Sequence, residues 1–270
     1  MIRFDEDEDV RLLEAIYTTP DMVFQRHESL LALNLKPGER VLDIGAGHGF
    51  LASEMGKAVC PDGRVDGIDS SPGMVEAARV NCANQRGVEF REGDALKLPY
   101  GESSFNAVTA IQVFEYLEDV AGALGEAYRV LCPGGRLLIM DTDWDSPVWH
   151  SNDAARMDRM LRAWTTHCRD PYLPRKLAPM LKRAGFHLAY QASIPIENIE
   201  CDAEDFDLES NASVTNFSSG LINSIRRHIA ARTSVPEEEV SAWTDDLRRL
   251  SRQGKYYFRL NRSLFLAVKP

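Results

Sequence analysis

The chain predicts an α/β fold built on a doubly wound, mostly parallel sheet. Two observations carry that prediction. Apolar runs of strand length alternate with helix-like segments through residues 37–142. A glycine cluster, Gly45-Ala46-Gly47-His48-Gly49, sits where the first apolar run meets the first helical pattern. The composition, 44% hydrophobic and 27% charged over 270 residues, allows a large buried core.

Residues 8–34 read as helical, with a break at Thr18-Thr19-Pro20, and Pro37-Gly38 marks a turn. Arg40 to Ile44 is then a buried strand. Leu51 to Val59 is a helix that stops at Pro61-Asp62-Gly63. Val65 to Ile68 is a second strand. Pro72 to Ala83 is a helix, with Ser70-Ser71 placed to cap it and Pro72 in its first turn. Val88 to Arg91 and Phe105 to Ile111 are the third and fourth strands. Val120 to Leu131 is helical and ends at Cys132-Pro133-Gly134-Gly135, and Arg136 to Asp141 is the fifth strand. Right-handed crossovers wind such repeats onto both faces of one sheet.

After Asp141 the rhythm changes. Residues 142–175 are rich in tryptophan and proline. A helix is expected over Arg175–Ala184, a sixth strand over Phe186–Ser193, and a last strand over Arg262–Val268. The division expected is a helical cap over 1–36, a core over 37–197 and 256–270, and a helical insert over 198–255 that acts as a lid.

Charge and cysteine usage narrow the function. There are 31 basic and 41 acidic residues, a net charge of −10, which disfavours a nucleic-acid substrate. The five cysteines, at 60, 82, 132, 168 and 201, have no CxxC spacing, so neither a metal site nor a disulfide framework is expected. The N-terminus lacks a signal-like apolar stretch, and no run suits a membrane span. A cytoplasmic monomer or homodimer acting on a small molecule is expected.

The glycine spacing lets backbone turn sharply and lie close against a ligand. Phe50 replaces the third glycine of a GxGxxG fingerprint, which counts against NAD or FAD. Asp69 ends the second strand, where a carboxylate accepts ribose hydroxyls; a helix cap or an exposed loop acid is the alternative. Asp94 follows the third strand, in Glu92-Gly93-Asp94-Ala95, where an acid can accept an adenine amino proton.

Four segments in order, VLDIGAGHG, GIDSSPGMVEAAR, EGDALKLPYGESSFNAV and EAYRVLCPGGRLLIMD, resemble the class I S-adenosylmethionine-dependent methyltransferases, and within them the small-molecule branch typified by ubiquinone/menaquinone-biosynthesis enzymes. The resemblance implies a Rossmann-like sheet of seven strands with the last antiparallel, and S-adenosylmethionine as cofactor. It implies that Gly45, Ala46 and Gly47 line the methionine part, with Asp43 beneath them. Asp69 takes the ribose, Ser70 and Met74 flank the adenine, Asp94 and the Ala95 N–H meet its edge, and Gln112 reaches the methionine moiety. Many relatives carry a histidine pair after the fourth strand. Here the sequence is Gln112-Val113-Phe114-Glu115-Tyr116, which puts histidine-based activation in doubt.

Candidate general bases are Glu115, Tyr116, His150 and His167, each of which can equally be structural. Asp141 and Asp143 follow the fifth strand at the same end of the sheet. Trp144, Trp149, Trp164, Tyr256, Tyr257 and Phe258 suit either an aromatic pocket or simple packing. Arg26 can pair with the methionine carboxylate or serve the surface. The function expected is methyl transfer to an O, N or C nucleophile. Arsenite or thiol methylation through Cys168 and Cys201, and a non-catalytic cofactor-binding role, are the alternatives.

Overall fold

The computed structural model describes residues 7–202 and 214–270. Parts of the expected cap and of the expected insert therefore lie outside the described residues. Eight strands form one open sheet: β1 (Arg40–Ile44), β2 (Arg64–Asp69), β3 (Val88–Glu92), β4 (Phe105–Ile111), β5 (Leu131–Thr142), β6 (Val148–Trp149), β7 (His187–Asn198) and β8 (Phe258–Val268). Their order is β3-β2-β1-β4-β5-β8, with β7 on the far edge of β8 and β6 beside its first residues. The first five strands are parallel and β8 is antiparallel to β5. The order reverses between β1 and β4, and a doubly wound sheet holds its ligand at the carboxyl ends of the strands there.

The helices are α1 (Asp7–Tyr17), α2 (Pro20–Leu33), α3 (Phe50–Val59), α4 (Pro72–Asn81), α5 (Val120–Val130), α6 (Ala154–Trp164), α7 (Pro174–Arg183), α8 (Phe217–Arg232) and α9 (Glu237–Arg252). Pro20 starts α2 and Pro72 starts α4, where a missing N–H costs nothing. Ser71, rather than Ser70, caps α4 by accepting the Met74 N–H. Alternate strand residues feed opposite faces. Leu42, Ile44, Leu137 and Ile139 pack with α5 and α7, while Val41, Leu138 and Met140 pack with α2, α3 and α4.

The region after β5 differs most from expectation. Helix α6, the short strand β6 and the extension of β7 to Asn198 were not foreseen, and β8 begins four residues before the expected Arg262. The two described insert helices do not form a detachable flap. Trp243, Ile222, Ile225 and Leu247 share one core with Leu12 and Ile16 of α1, Met160 and Trp164 of α6, and Phe258 and Leu260 of β8. Gly220 of α8 packs directly on Ile16, so α1 and α8 touch closely.

Candidate active site

The loop after β1 takes its shape from glycine. Gly45, Gly47 and Gly49 have φ of +69°, +51° and +77°, a region that penalises any Cβ. At Gly45 a Cβ would also strike Val113, so the loop after β4 rests on this glycine. At Gly47 a Cβ would meet nothing within 4 Å, which leaves open space beside the backbone. Gly45, Ala46 and Gly47 keep partial exposure directly after the buried strand residues Val41–Ile44.

Asp69 holds this loop. Its Oδ2 accepts the Gly47 N–H at 3.0 Å and its Oδ1 accepts the Ser71 N–H at 2.9 Å. Burial pushes its carboxyl above the ordinary value, opposed by these backbone donors. Asp43, 3% exposed, accepts the Thr109 hydroxyl at 2.6 Å, and burial raises its pKa to about 7. Asp43 thus ties β1 to β4 just before the loop and does not face solvent. The Gly93 N–H donates to the Asp69 carbonyl at 2.9 Å, which sets the third strand end beside the second. Asp94 is exposed there, in a tight turn whose Leu96 N–H it accepts at 2.9 Å, with Ala95 buried beneath.

Helix α1 covers this end of the sheet. His48 bonds to the Val10 carbonyl at 2.8 Å through Nε2. Gln112 directly follows β4 with φ of +56°; its Oε1 accepts the Thr142 hydroxyl at 2.9 Å, while its Nε2 is enclosed and lacks a partner among the described residues. The N-terminus of α3 has no side-chain cap. The open space at Gly47, the free amide of Gln112 and the bare helix end fit an amino-acid carboxylate and the sulfur chain beside it. Ser70 is exposed at the site and Met74 is buried in the first turn of α4, so both can wall an adenine.

Arg26 stands differently from its expected role. Its Nε donates to Glu54 at 2.9 Å and its Nη1 to the Tyr17 carbonyl at 2.7 Å. These bonds pin α2 to α3 and to the end of α1, and neither partner belongs to the glycine loop.

The expected bases fare unequally. Glu115 is 0% exposed. Its Oε2 accepts the Thr142 N–H and the Trp144 indole N–H, both at 3.2 Å, and its carbonyl accepts the Arg169 and Asp170 N–H groups. It joins three chain segments and does not face open space. Burial raises its pKa to about 7. Asp141, also fully buried, accepts the Val113 N–H at 3.1 Å, and burial with the nearby Glu115 charge pushes its carboxyl well up. Tyr116 is partly exposed beside this pair, and its phenol is pushed up by burial and by Glu115, so it is a neutral donor. His167 stacks on Trp164 at 3.8 Å and meets Trp144 edge-on at 4.7 Å. Its burial lowers its pKa to about 3, so it stays neutral. The structure does not bring His150 to this cluster. Its side chain is exposed and its N–H pairs with the Tyr257 carbonyl at the sheet edge. Asp143 is bound by Arg175 at 2.7 Å. Trp149 packs on Phe258 and Trp243, which makes it core.

Sequence reasoning missed Arg262 as a functional candidate. It is 3% exposed and reaches Gln25 and the Met22 sulfur through Nη1. Its charge acts on Glu115 and Asp141. A basic residue shortly before the apolar run Leu264–Val268 was the available signal.

Known proteins agree with this geometry. The family model of the methyltransferase domain matches residues 42–139. A demethylmenaquinone methyltransferase of Thermus thermophilus is 43% identical over 123 residues, covering 45% of this chain and 54% of that protein. An uncharacterized protein of transposon Tn4556 from Streptomyces fradiae is 38% identical over 205 residues, covering 74% and 58%. In structure, phosphoethanolamine N-methyltransferase 2 of Haemonchus contortus, solved with S-adenosyl-L-methionine, superposes with a TM-score of 0.61 at 21% identity, over 100% of this chain and 60% of that one. The [4+2]-cyclase SpnF superposes with a TM-score of 0.60 at 22% identity, over 92% and 81%.

Residues 42–139 therefore match the methyltransferase-domain family, on an open α/β sheet of the kind the solved structures share. Over that domain the chain is similar to demethylmenaquinone methyltransferases. The chain spans about half the length of the curated relatives it matches. No helix among the described residues is long and apolar enough to cross a membrane, and no group of potential metal ligands is found among them.

Proposed function

We propose that this chain methylates a small-molecule acceptor at oxygen, nitrogen or carbon. The observation that carries the reading is the Asp69 clasp on the Gly47 N–H, with open space beside that glycine. Three carboxyl strand ends meet there: the glycine loop, Asp69 and Asp94. When bound, the cofactor supplies a sulfonium methyl group that a nucleophile takes by in-line displacement, sulfur keeping the electron pair of the broken bond.

The chain's own residues have a limited task. The Gly45–Gly47 backbone and Gln112 hold the amino-acid end, Asp69 orients the ribose, and Asp94 with the Ala95 N–H reads the adenine edge. Helix α1 and the described insert helices wall the acceptor side and exclude water. Alignment of this kind supplies roughly 7–11 kcal/mol of a barrier. No poised base is needed for an acceptor that arrives ionised, and the neutral His167 and Tyr116 suit that case. All five cysteines are free, which agrees with a cytoplasmic setting.

An arsenite methyltransferase of Halobacterium salinarum is 39% identical over 115 residues, covering 42% of this chain and 29% of that one. That chemistry needs thiolates. Burial pushes the Cys168 thiol far up, with Glu115 adding to it, and Cys82 is raised too. Both therefore stay protonated, which favours the O, N or C acceptor.

The test has two parts. Calorimetry should show binding of S-adenosylhomocysteine, and a screen with methyl-labelled cofactor across phenols, quinones, amines and thiols should show transfer. Absence of cofactor binding would overturn the reading. Binding without transfer to any acceptor would leave a cofactor-binding protein.

A further inference from the structure

Two arginines are buried among the described residues, Arg26 at 9% exposure and Arg262 at 3%. They are satisfied differently. Arg26 pairs with Glu54 at 2.9 Å. Arg262 has no carboxylate oxygen within 4.0 Å among the described residues, although Glu115 and Asp141 act on it from further off. A guanidinium taken out of water without a hydrogen-bonded anion costs several kcal/mol.

Its placement and orientation matter more than its cost. Arg262 pairs in register with Thr142 on β5 and with Ile194 on β7. Thr142 in turn donates its hydroxyl to Gln112, at the end of β4. Arg262 therefore lies at the carboxyl end of the sheet, two strands from the residue that closes the glycine loop's neighbour. One side of its guanidinium is fixed. Nη1 donates to Gln25 and to the Met22 sulfur at 3.4 Å, and the plane lies 4.9 Å from the Phe217 ring. The other edge, Nε with Nη2, faces no acceptor among the described residues, and Nε is fully enclosed. Those two N–H groups are parallel and match both oxygens of a carboxylate. Tyr17 and Tyr116 lie within its field and keep partial exposure.

We propose that Arg262 determines acceptor specificity by binding a carboxylate of the methyl acceptor through its Nε–Nη2 edge; this rests on the methyltransferase reading above. The guanidinium is held by α2, β8 and α8 together, so it meets the ligand already oriented. Glu115 and Asp141 are the carboxyls nearest in its field, and burial raises both, which leaves the guanidinium free for an external anion. A neutral acceptor of the same shape would leave Arg262 unpaired and would bind more weakly.

The test uses the full chain loaded with S-adenosylhomocysteine. A panel of hydroxylated aromatic and short aliphatic carboxylates is titrated by calorimetry, each beside its own amide. At least one acid should bind about tenfold more tightly than its amide. Arg262→Gln should bring that ratio to about two or less, and Arg262→Lys should give a value between, because it keeps charge and loses the fork. S-adenosylhomocysteine affinity should be the same in all three proteins. No acid preferred over its amide, or a preference that survives in Arg262→Gln, overturns the proposal. Arg262→Met separates binding from folding. A ligand-binding role predicts an unliganded melting temperature at or above that of the parent, whereas a marked fall shows a structural arginine and overturns it. Failure of the parent to bind S-adenosylhomocysteine would instead sink the methyltransferase reading, and is read before any acid is added.

Discussion

Replacing Glu115 by glutamine should change stability in a pH-dependent way. The Glu115 side chain is fully buried; one oxygen accepts two N–H groups and the other has no partner among the described residues. Glutamine can keep the accepting oxygen and cannot ionise. Burial lifts the folded pKa from an ordinary 4.5 to about 7, a value that already includes the opposing pull of Arg262. A raised carboxyl pKa means that the folded state holds the proton more tightly than the unfolded chain. Its stabilising contribution is complete below about pH 4.5 and is lost as pH rises through about 7. At about 1.36 kcal/mol per pH unit, the loss amounts to about 3 kcal/mol.

Glu115→Gln escapes that loss. At pH 5 the variant should lie within about 1 kcal/mol of the parent, since one neutral acceptor replaces another. At pH 8.5 it should be the more stable by up to about 3 kcal/mol. Asp141 is present in both proteins, and losing its charged neighbour acts in the same direction. Urea unfolding between pH 5 and 8.5, without cofactor, measures the difference directly. A difference that does not vary with pH would refute the reasoning, because it would mean that Glu115 is ionised throughout and acts only as a tie.

Gly45→Ala should cost about 2 kcal/mol from its φ of +69° alone, with a further loss from the contact with Val113; thermal melts of this variant should improve partly when Val113→Ala is added. Asp69→Ala removes the clasp on Gly47 and Ser71 and should weaken S-adenosylhomocysteine binding about 10- to 100-fold in calorimetry; unchanged affinity would mean that the acid serves only the turn. Cys168→Ser combined with Cys201→Ser should leave labelled methyl transfer to carbon, oxygen or nitrogen acceptors within about twofold, because the buried Cys168 stays a thiol; loss of transfer would restore the thiolate reading.

The meeting of the glycine loop with the next strand ends, where the cofactor is proposed to bind, was legible because its determinants are regularly spaced. The strand adjoins its glycine turn and the acid at the next strand end follows 22 residues after Gly47, so pattern and spacing suffice. Gly45, Asp69 and Asp94 do come together, through backbone bonds such as that from Gly93 to Asp69. The region after β5 was not legible in the same way. β6 has two residues and exists because Trp149 and Val148 pair with Phe258 and Arg259, over a hundred residues later. β7 continues past Pro195, which breaks the expected pattern but is tolerated because β7 is an edge strand paired only with β8. His150 and Glu115 both looked available as bases. Burial separates them: one lies at the surface and the other beneath the sheet's end.

The acceptor end follows from that same long-range pairing. Arg262 reads in sequence as one of two arginines in the last strand, and only its register with Thr142 places it at the carboxyl end of the sheet. Seen there, it accounts for two features together. The cluster offers no accessible strong base: His167 is held neutral, the phenol of Tyr116 is pushed up, and Glu115 and Asp141 are enclosed. It also holds one cation without a close anion. The proposed acceptor carboxylate completes Arg262, and a separate nucleophile on the same molecule that arrives already deprotonated leaves the chain only the work of alignment.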